Sequence, residues 1–360
     1  MKKIVPSKLA TNIIKRSPII NNKGLKVCVV GAFGNKYSTN ISLADHLEKL
    51  DGIQEVIRFD YRTVLKEHYN SIIGRMVEIS KSVDLMIICK GNGIPVHSAE
   101  MCSKYCRLFF WMMDIFTHFD AHKNMLEFTK FCDYRSATGY GTALIWSSRT
   151  RLPIYHIIDG ADRRLYYPVY NKPKKYDITF IGAQDIERSI IRDFLKKNDF
   201  NVNFFGPGYN NYIKPPEFRN ICTESKLVLN ISRGNYAGYS SLRLWNLLSC
   251  GSMVITKKIP SMESLMNLKE CKHIVSFSNL IELKRVVDYY INHEEKRELI
   301  AKNGLEFVIE NRTWTNVAAD IIQVCTTEQG ILEEKRLSIK ELKIKQLTKK
   351  RVVKEGWITY

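Results

Sequence analysis

Residues 238–256 read GYSSLRLWNLLSCGSMVIT, with one arginine in the first turn of an apolar helix, directly behind two serines. Leu244, Leu247 and Leu248 recur at helical spacing, and Gly251 ends the run before a strand-like 253–256. Arg243 and Asn246 lie three residues apart, on a face that the leucines leave free. Ser240 and Ser241 are natural N-caps. A fixed positive charge beside uncapped backbone N–H groups is the composition of an anion site. It is equally that of a capped helix whose arginine pairs with a surface carboxylate, and the stretch alone leaves both open. Asp114 ends the apolar run RLFFWMMD, where a carboxylate either faces a cleft or caps the next helix. Asp133, Asp159 and Asp162 are lesser acidic candidates. Cys102 and Cys106 are the only close cysteine pair and read as one helical face, because no His/Cys pair completes a zinc set.

The elements that must position these residues alternate. Strand-like runs at 25–31, 55–60, 83–89, 107–114, 132–138 and 153–158 are interleaved with helical periodicity around 42–50, 64–80 and 122–131. A basic, Pro-containing link, YYPVYNKPKKY, interrupts the rhythm, which then restarts at 177–182, 201–206, 226–232, 252–256 and 272–277. Helices over 280–292, 294–310 and 315–324 close the second unit. Strand-then-helix order predicts parallel sheets with crossover helices, an α/β fold of two Rossmann-like halves. Ligands of such sheets bind beyond the carboxyl ends of the strands, where Gly31, Gly34, Gly91, Gly93, Gly182 and Gly206 all fall. GAFG is not the GxGxxG fingerprint, so a dinucleotide is a weak expectation. The expected division is a basic arm over 1–23, domains over 24–169 and 170–326, and a basic helical tail over 327–360.

At 360 residues and 45% hydrophobic, the chain is long enough for two cores, and no apolar run approaches a membrane span. The basic start is broken by Pro6, Lys8, Asn12 and Lys15 and does not read as a signal peptide. Nine scattered cysteines fit reduced, cytoplasmic usage. The formal net charge is +18, and the first acidic residue is Asp45. Lys2, Lys3, Lys15 and Arg16 at one end, with Lys349, Lys350 and Arg351 at the other, suggest a polyanionic partner, duplex DNA among the candidates. Lysine-favouring codons of an A+T-rich genome explain the same charge.

In organisation and motifs the chain resembles metal-independent glycosyltransferases of the GT-B fold, in which two Rossmann-like domains with parallel sheets face each other across a cleft. Its stretches DITFIG, SSLRLWNLLSCG, HIVSFSNLIELK and YYINHEEKRELIAKNG are similar to the CgeB-like spore-maturation enzymes. DITFIG, NVNFFG, the NY…LRLW stretch and a strand ending in aspartate and isoleucine resemble the T-even phage DNA β-glucosyltransferases.

The resemblance implies a nucleotide sugar, a UDP-sugar, as co-substrate, and no required metal, a divalent ion being at most stimulatory. It implies that Arg243 binds the donor diphosphate, where a planar guanidinium grips two oxygens, and that Arg188 is a second phosphate ligand. Tyr236 matches a donor-site tyrosine, and Gly182 and Gly206 would let the backbone approach the donor. Asn246 departs from the family's glutamate and would accept a ribose hydroxyl without the charge-assisted bond. Asp114 matches the general base of inverting transfer, with basicity raised by apolar walls. The implied acceptor is a hydroxymethylated pyrimidine, such as hydroxymethylcytosine, in phage-type duplex DNA within a host cytoplasm. A surface or spore glycan is the alternative, as is a silent binding protein on the same fold.

Overall fold

The computed structural model describes residues 1–67, 71–115, 123–210 and 212–333. The first half supplies strands β1 Lys2–Ile4, β2 Ile13–Arg16, β3 Leu25–Gly31, β4 Ile53–Asp60, β5 Leu85–Cys89, β6 Arg107–Met112, β7 Tyr134–Ala137 and β8 Ile154–His156. The second half supplies β9 Tyr176–Ile181, β10 Val202–Phe205, β11 Ser225–Asn230, β12 Val254–Lys257, β13 Val275–Phe277 and β14 Gly330–Glu333.

Seven strands form one sheet in the order β1-β8-β7-β6-β5-β3-β4, parallel except at the β1 edge. Five form a second, wholly parallel sheet in the order β10-β9-β11-β12-β13. Continuous apolar runs such as LMIIC in β5 arise because helices cover both faces of each sheet. Alternate residues then enter opposite cores: Cys28 and Val30 pack on one side of β3, Val27 and Val29 on the other. The two-half α/β architecture expected from the sequence is the one observed.

Three expectations need correction. Helix Trp314–Thr327 packs in the first core, not the second: Val317, Ile321 and Val324 join Val29, Ile87 and Phe109. Trp314 meets Trp111 edge-on at 5.8 Å. Its apolar stripe shows that it packs, without saying on which domain. The basic start is not a free arm. β1 pairs with β8, and β2 with β14, the strand that also replaces the start of the supposed helical tail. Lys3 pairs with Glu328 at 2.5 Å. Arg16 donates to the carbonyls of Ser103 and Cys106 and to the buried Asp133. Lys2 and Lys15 remain exposed, whereas Lys349, Lys350 and Arg351 lie outside the described residues.

Asp133 also accepts the Leu108 N–H at 2.9 Å, which ties it to the amino end of β6, away from the strand ends where ligands bind. Arg16→Ala leaves that buried carboxylate short of a cation. We expect it to lower stability by about 3 kcal/mol in chemical denaturation, without changing the salt dependence of any polyanion binding. An unchanged denaturation midpoint, with a reduced salt slope, would return Arg16 to the surface role.

Candidate active site

The donor half converges on the end of β9. The Phe180 ring meets two guanidinium groups, with its centroid 5.1 Å from Arg188 and 4.7 Å from Arg243. Both donate to the Ile231 carbonyl, from Arg188 Nη2 at 2.7 Å and Arg243 Nη2 at 2.8 Å. Arg188 is largely spoken for. It also donates to Ala183 O at 2.7 Å and pairs with Asp185, whose side chain caps helix Ile186–Lys197. Arg243 has no carboxylate partner among the described residues, and its Nη1 makes no hydrogen bond there. Burial, then the neighbouring Arg188, lowers its pKa to about 9.

Glycine makes this packing possible. A Cβ on Gly182 would lie 2.4 Å from Arg243 Nη1, and one on Gly206, at φ +118°, would lie 2.6 Å from Gly182 O. These glycines let arginine and backbone close in, and the structure describes no donor contact for them.

Helix Leu242–Ser249 carries the remaining donor candidates. Ser241 occupies the N-cap position, but its hydroxyl does not cap: Oγ is buried with no partner, while its N–H donates to Ser232 Oγ. Ser240 is buried in a network with Asn230 and Ser232. The capping role expected of both serines is therefore absent. Asn246, one turn beyond Arg243, is only 6% exposed, and its Oδ1 has no partner. A buried polar atom without a partner is costly, so a ligand reaching Asn246 Oδ1 would gain a bond that the fold leaves open. Tyr236 lies over Gly234 and meets Tyr239 edge-on at 6.4 Å.

Across from this helix, the first sheet presents its carboxyl ends. Asp114 follows β6 and pairs with Lys90, which follows β5, at 2.5 Å. Its side chain is 60% exposed, so the apolar walls expected around it are not there. The desolvated carboxylate is Asp159 instead. It lies beyond β8, is 5% exposed and has an unpartnered Oδ1. Burial pushes it up to about 7, with Lys90 opposing and Asp114 adding to the rise. Asp162 accepts from Ser42 and Arg164 where the chain crosses between halves, beside the pairing of Ala161 with Thr313.

Two residues that sequence reasoning passed over join the halves. His156 Nε2 stands 3.2 Å from Thr138 O and 3.0 Å from Gly238 O, latching the loop before helix Leu242–Ser249 onto the first domain. Tyr239 packs against Gly139, and its hydroxyl is pushed up by burial, then by Asp159 and Asp114, and eased down by Arg243. Tyr239 thus places the acidic pair and the arginine in one electrostatic neighbourhood. Lys90 carried no signal in the sequence beyond its place between the strand-like run 83–89 and Gly91. Among the described residues, no group of three or more His, Cys, Asp or Glu is placed to hold a metal ion. Among them, too, no helix is long and apolar enough to cross a membrane.

The fold and this cleft define a class. Anabaena HepE, in complex with UDP and glucose, superposes with a TM-score of 0.58 at 12% identity, over 83% of this chain and 99% of that one. Sucrose-phosphate synthase from Thermosynechococcus elongatus gives 0.56 at 13%, over 83% and 98%. The DNA-modifying enzyme β-glucosyltransferase, studied with and without uridine diphosphoglucose, gives 0.57 at 13%, over 84% and 99%. The shared fold is GT-B. Residues 187–323 match the family described as glycosyl transferase-like. With that match, the protein is an enzyme of the glycosyltransferase class. No curated protein matches its sequence.

Proposed function

We propose that the protein transfers a sugar from a UDP-sugar to an acceptor hydroxyl by direct displacement, and that the acceptor is a hydroxymethylated pyrimidine in duplex DNA. The observation that carries the donor half of this reading is the set of unpartnered groups on one helix: Ser241 Oγ, Arg243 Nη1 and Asn246 Oδ1. Arg243 holds the diphosphate and stabilises its charge as it leaves, with Arg188 adding positive potential from behind. Asn246 accepts a ribose hydroxyl. Ser240, Tyr236, Gly182 and Gly206 shape the wall. Asp114 takes the acceptor's proton as its oxygen attacks the anomeric carbon. No divalent ion is needed for the charge that two arginines supply.

The DNA acceptor rests on the net charge of +18 and on the fold shared with a DNA-modifying glucosyltransferase. Extracting a base costs a few kcal/mol, which interactions with the DNA backbone must offset. Exposed Lys2 and Lys15 are available for that role, and Lys349, Lys350 and Arg351 lie outside the described residues. Deleting residues 1–20 would remove two strands, so neutralising Lys2 and Lys15 is the cleaner probe. For every phosphate that a lysine no longer neutralises, the salt dependence of binding should flatten by about 0.9 log unit per log salt.

The test is incubation with several UDP-sugars and with hydroxymethylated or plain duplex DNA, followed by nucleoside mass spectrometry. Sugar on the hydroxymethylated DNA alone is expected. UDP release without DNA labelling, combined with transfer to a neutral glycan, would assign the acceptor to the surface-glycan reading. No UDP binding at all would leave a silent protein on this fold. Asn246→Glu adds a check on the donor: a carboxylate facing the ribose should tighten UDP binding about tenfold in calorimetry. Unaltered affinity would move ribose recognition elsewhere.

A further inference from the structure

His156 ends β8 and is buried. Its Nε2 is within hydrogen-bond reach of carbonyl oxygens from both halves, Thr138 O at 3.2 Å and Gly238 O at 3.0 Å. A carbonyl oxygen only accepts, so Nε2 must carry a proton. Burial lowers the pKa to about 4, with those two bonds opposing, so the ring is neutral at ordinary pH and its single proton is the one on Nε2. Tyr140, which opens the helix after β7, meets the ring edge-on at 5.6 Å.

The segment that His156 grips is fastened on both sides. Gly238 N–H donates to Pro260 O in the second half at 3.0 Å. Gly238 has φ +60°, and a Cβ there would lie 2.7 Å from Leu265 Cδ1 and 3.1 Å from His156 Cε1. Only glycine lets the chain come this close to both side chains. Four residues on, Leu242 opens the helix that carries Arg243 and packs against the buried cores of both halves.

We propose that His156 is a positioning residue for transfer: its Nε2–H bond to Gly238 holds the helix of Arg243 in register with the first sheet, so that leaving diphosphate and incoming hydroxyl meet at one anomeric carbon. This rests on the reading of that helix as the donor site and of the first sheet as the acceptor side. A displacement of about 1 Å between two reacting groups costs on the order of 10²-fold in rate. The nucleotide itself would not register such a shift, because the groups proposed to hold it all belong to the second half.

The test compares His156→Leu, which fills the space without a donor, with His156→Gln, whose amide nitrogen takes the place of Nε2. With UDP-glucose and hydroxymethylated duplex DNA, His156→Leu should lower kcat about 10–100-fold and leave UDP affinity in calorimetry within roughly twofold of wild type. His156→Gln should restore most of the rate. Without any acceptor, hydrogen exchange over residues 238–242 should quicken about tenfold in His156→Leu and not in His156→Gln, while β9 and β11 keep their wild-type rates. A wild-type kcat in His156→Leu, a parallel loss of UDP affinity, or exchange that quickens evenly through the chain overturns the proposal. Should His156→Leu fail to fold, Gly238→Ala presses on the same contact from the other side and should lower kcat while sparing UDP affinity; an unaltered kcat there overturns it equally. If wild type leaves the DNA unlabelled, the acceptor reading has failed, and the exchange measurement decides the role of His156 in the seam. If Arg243→Ala binds UDP normally, the donor reading has failed instead.

Discussion

Asp114→Asn should lower sugar transfer by ~10²–10⁴ and leave UDP affinity within roughly twofold of wild type. The carboxylate emerges from the first sheet, while the groups that would hold the nucleotide all belong to the second half. A base acts on the acceptor proton, which the nucleotide does not share. The substitution keeps the size of the side chain and a hydrogen-bond acceptor for Lys90, so the ion pair becomes a neutral contact without a cavity. With the side chain 60% exposed, little folding energy is at stake. Rapid-quench transfer assays beside UDP calorimetry make the comparison. Transfer within tenfold of wild type would remove Asp114 from the role, and the buried Asp159 would become the carboxylate to examine.

Arg243→Ala should weaken UDP binding about 10–100-fold, the scale of a hydrogen-bonded charge, and reduce turnover further because charge on the diphosphate grows as it departs. Lysine should rescue only in part, since it keeps the charge and loses the planar fork. The stability readout is the more diagnostic one. Burial and the adjacent Arg188 hold Arg243 near pKa 9, below its ordinary 12.5, so the folded chain binds this proton less tightly than the unfolded chain does. Keeping the charge at neutral pH therefore costs folding free energy, and the cost is recovered only when an anion arrives. Arg243→Met should lose UDP binding without lowering the melting temperature. If it melts earlier and still binds UDP, the arginine is a prop for the Ile231 carbonyl and nothing more.

Local pattern alone determined much of this molecule. Apolar runs located the parallel strands of both sheets, since buried parallel strands need continuous hydrophobicity, while the antiparallel edge strand β1 in the basic start went unread. Helical spacing put Arg243 and Asn246 on one face, as the helix Leu242–Ser249 does. The tertiary structure decided what pairs with what. That Lys90 meets Asp114, that Asp159 rather than Asp114 loses its water, and that Arg16 serves Asp133 follow from strand order, which brings together residues far apart in the chain. Ser241 has the composition of a cap, yet its hydroxyl stays unpartnered and its N–H donates to Ser232 Oγ. The helix at 314–327 carried an apolar stripe that fits either core, and only the return crossing beside Ala161 assigned it to the first. Periodicity is a property of neighbours in sequence. Charge pairing and desolvation are properties of neighbours in space.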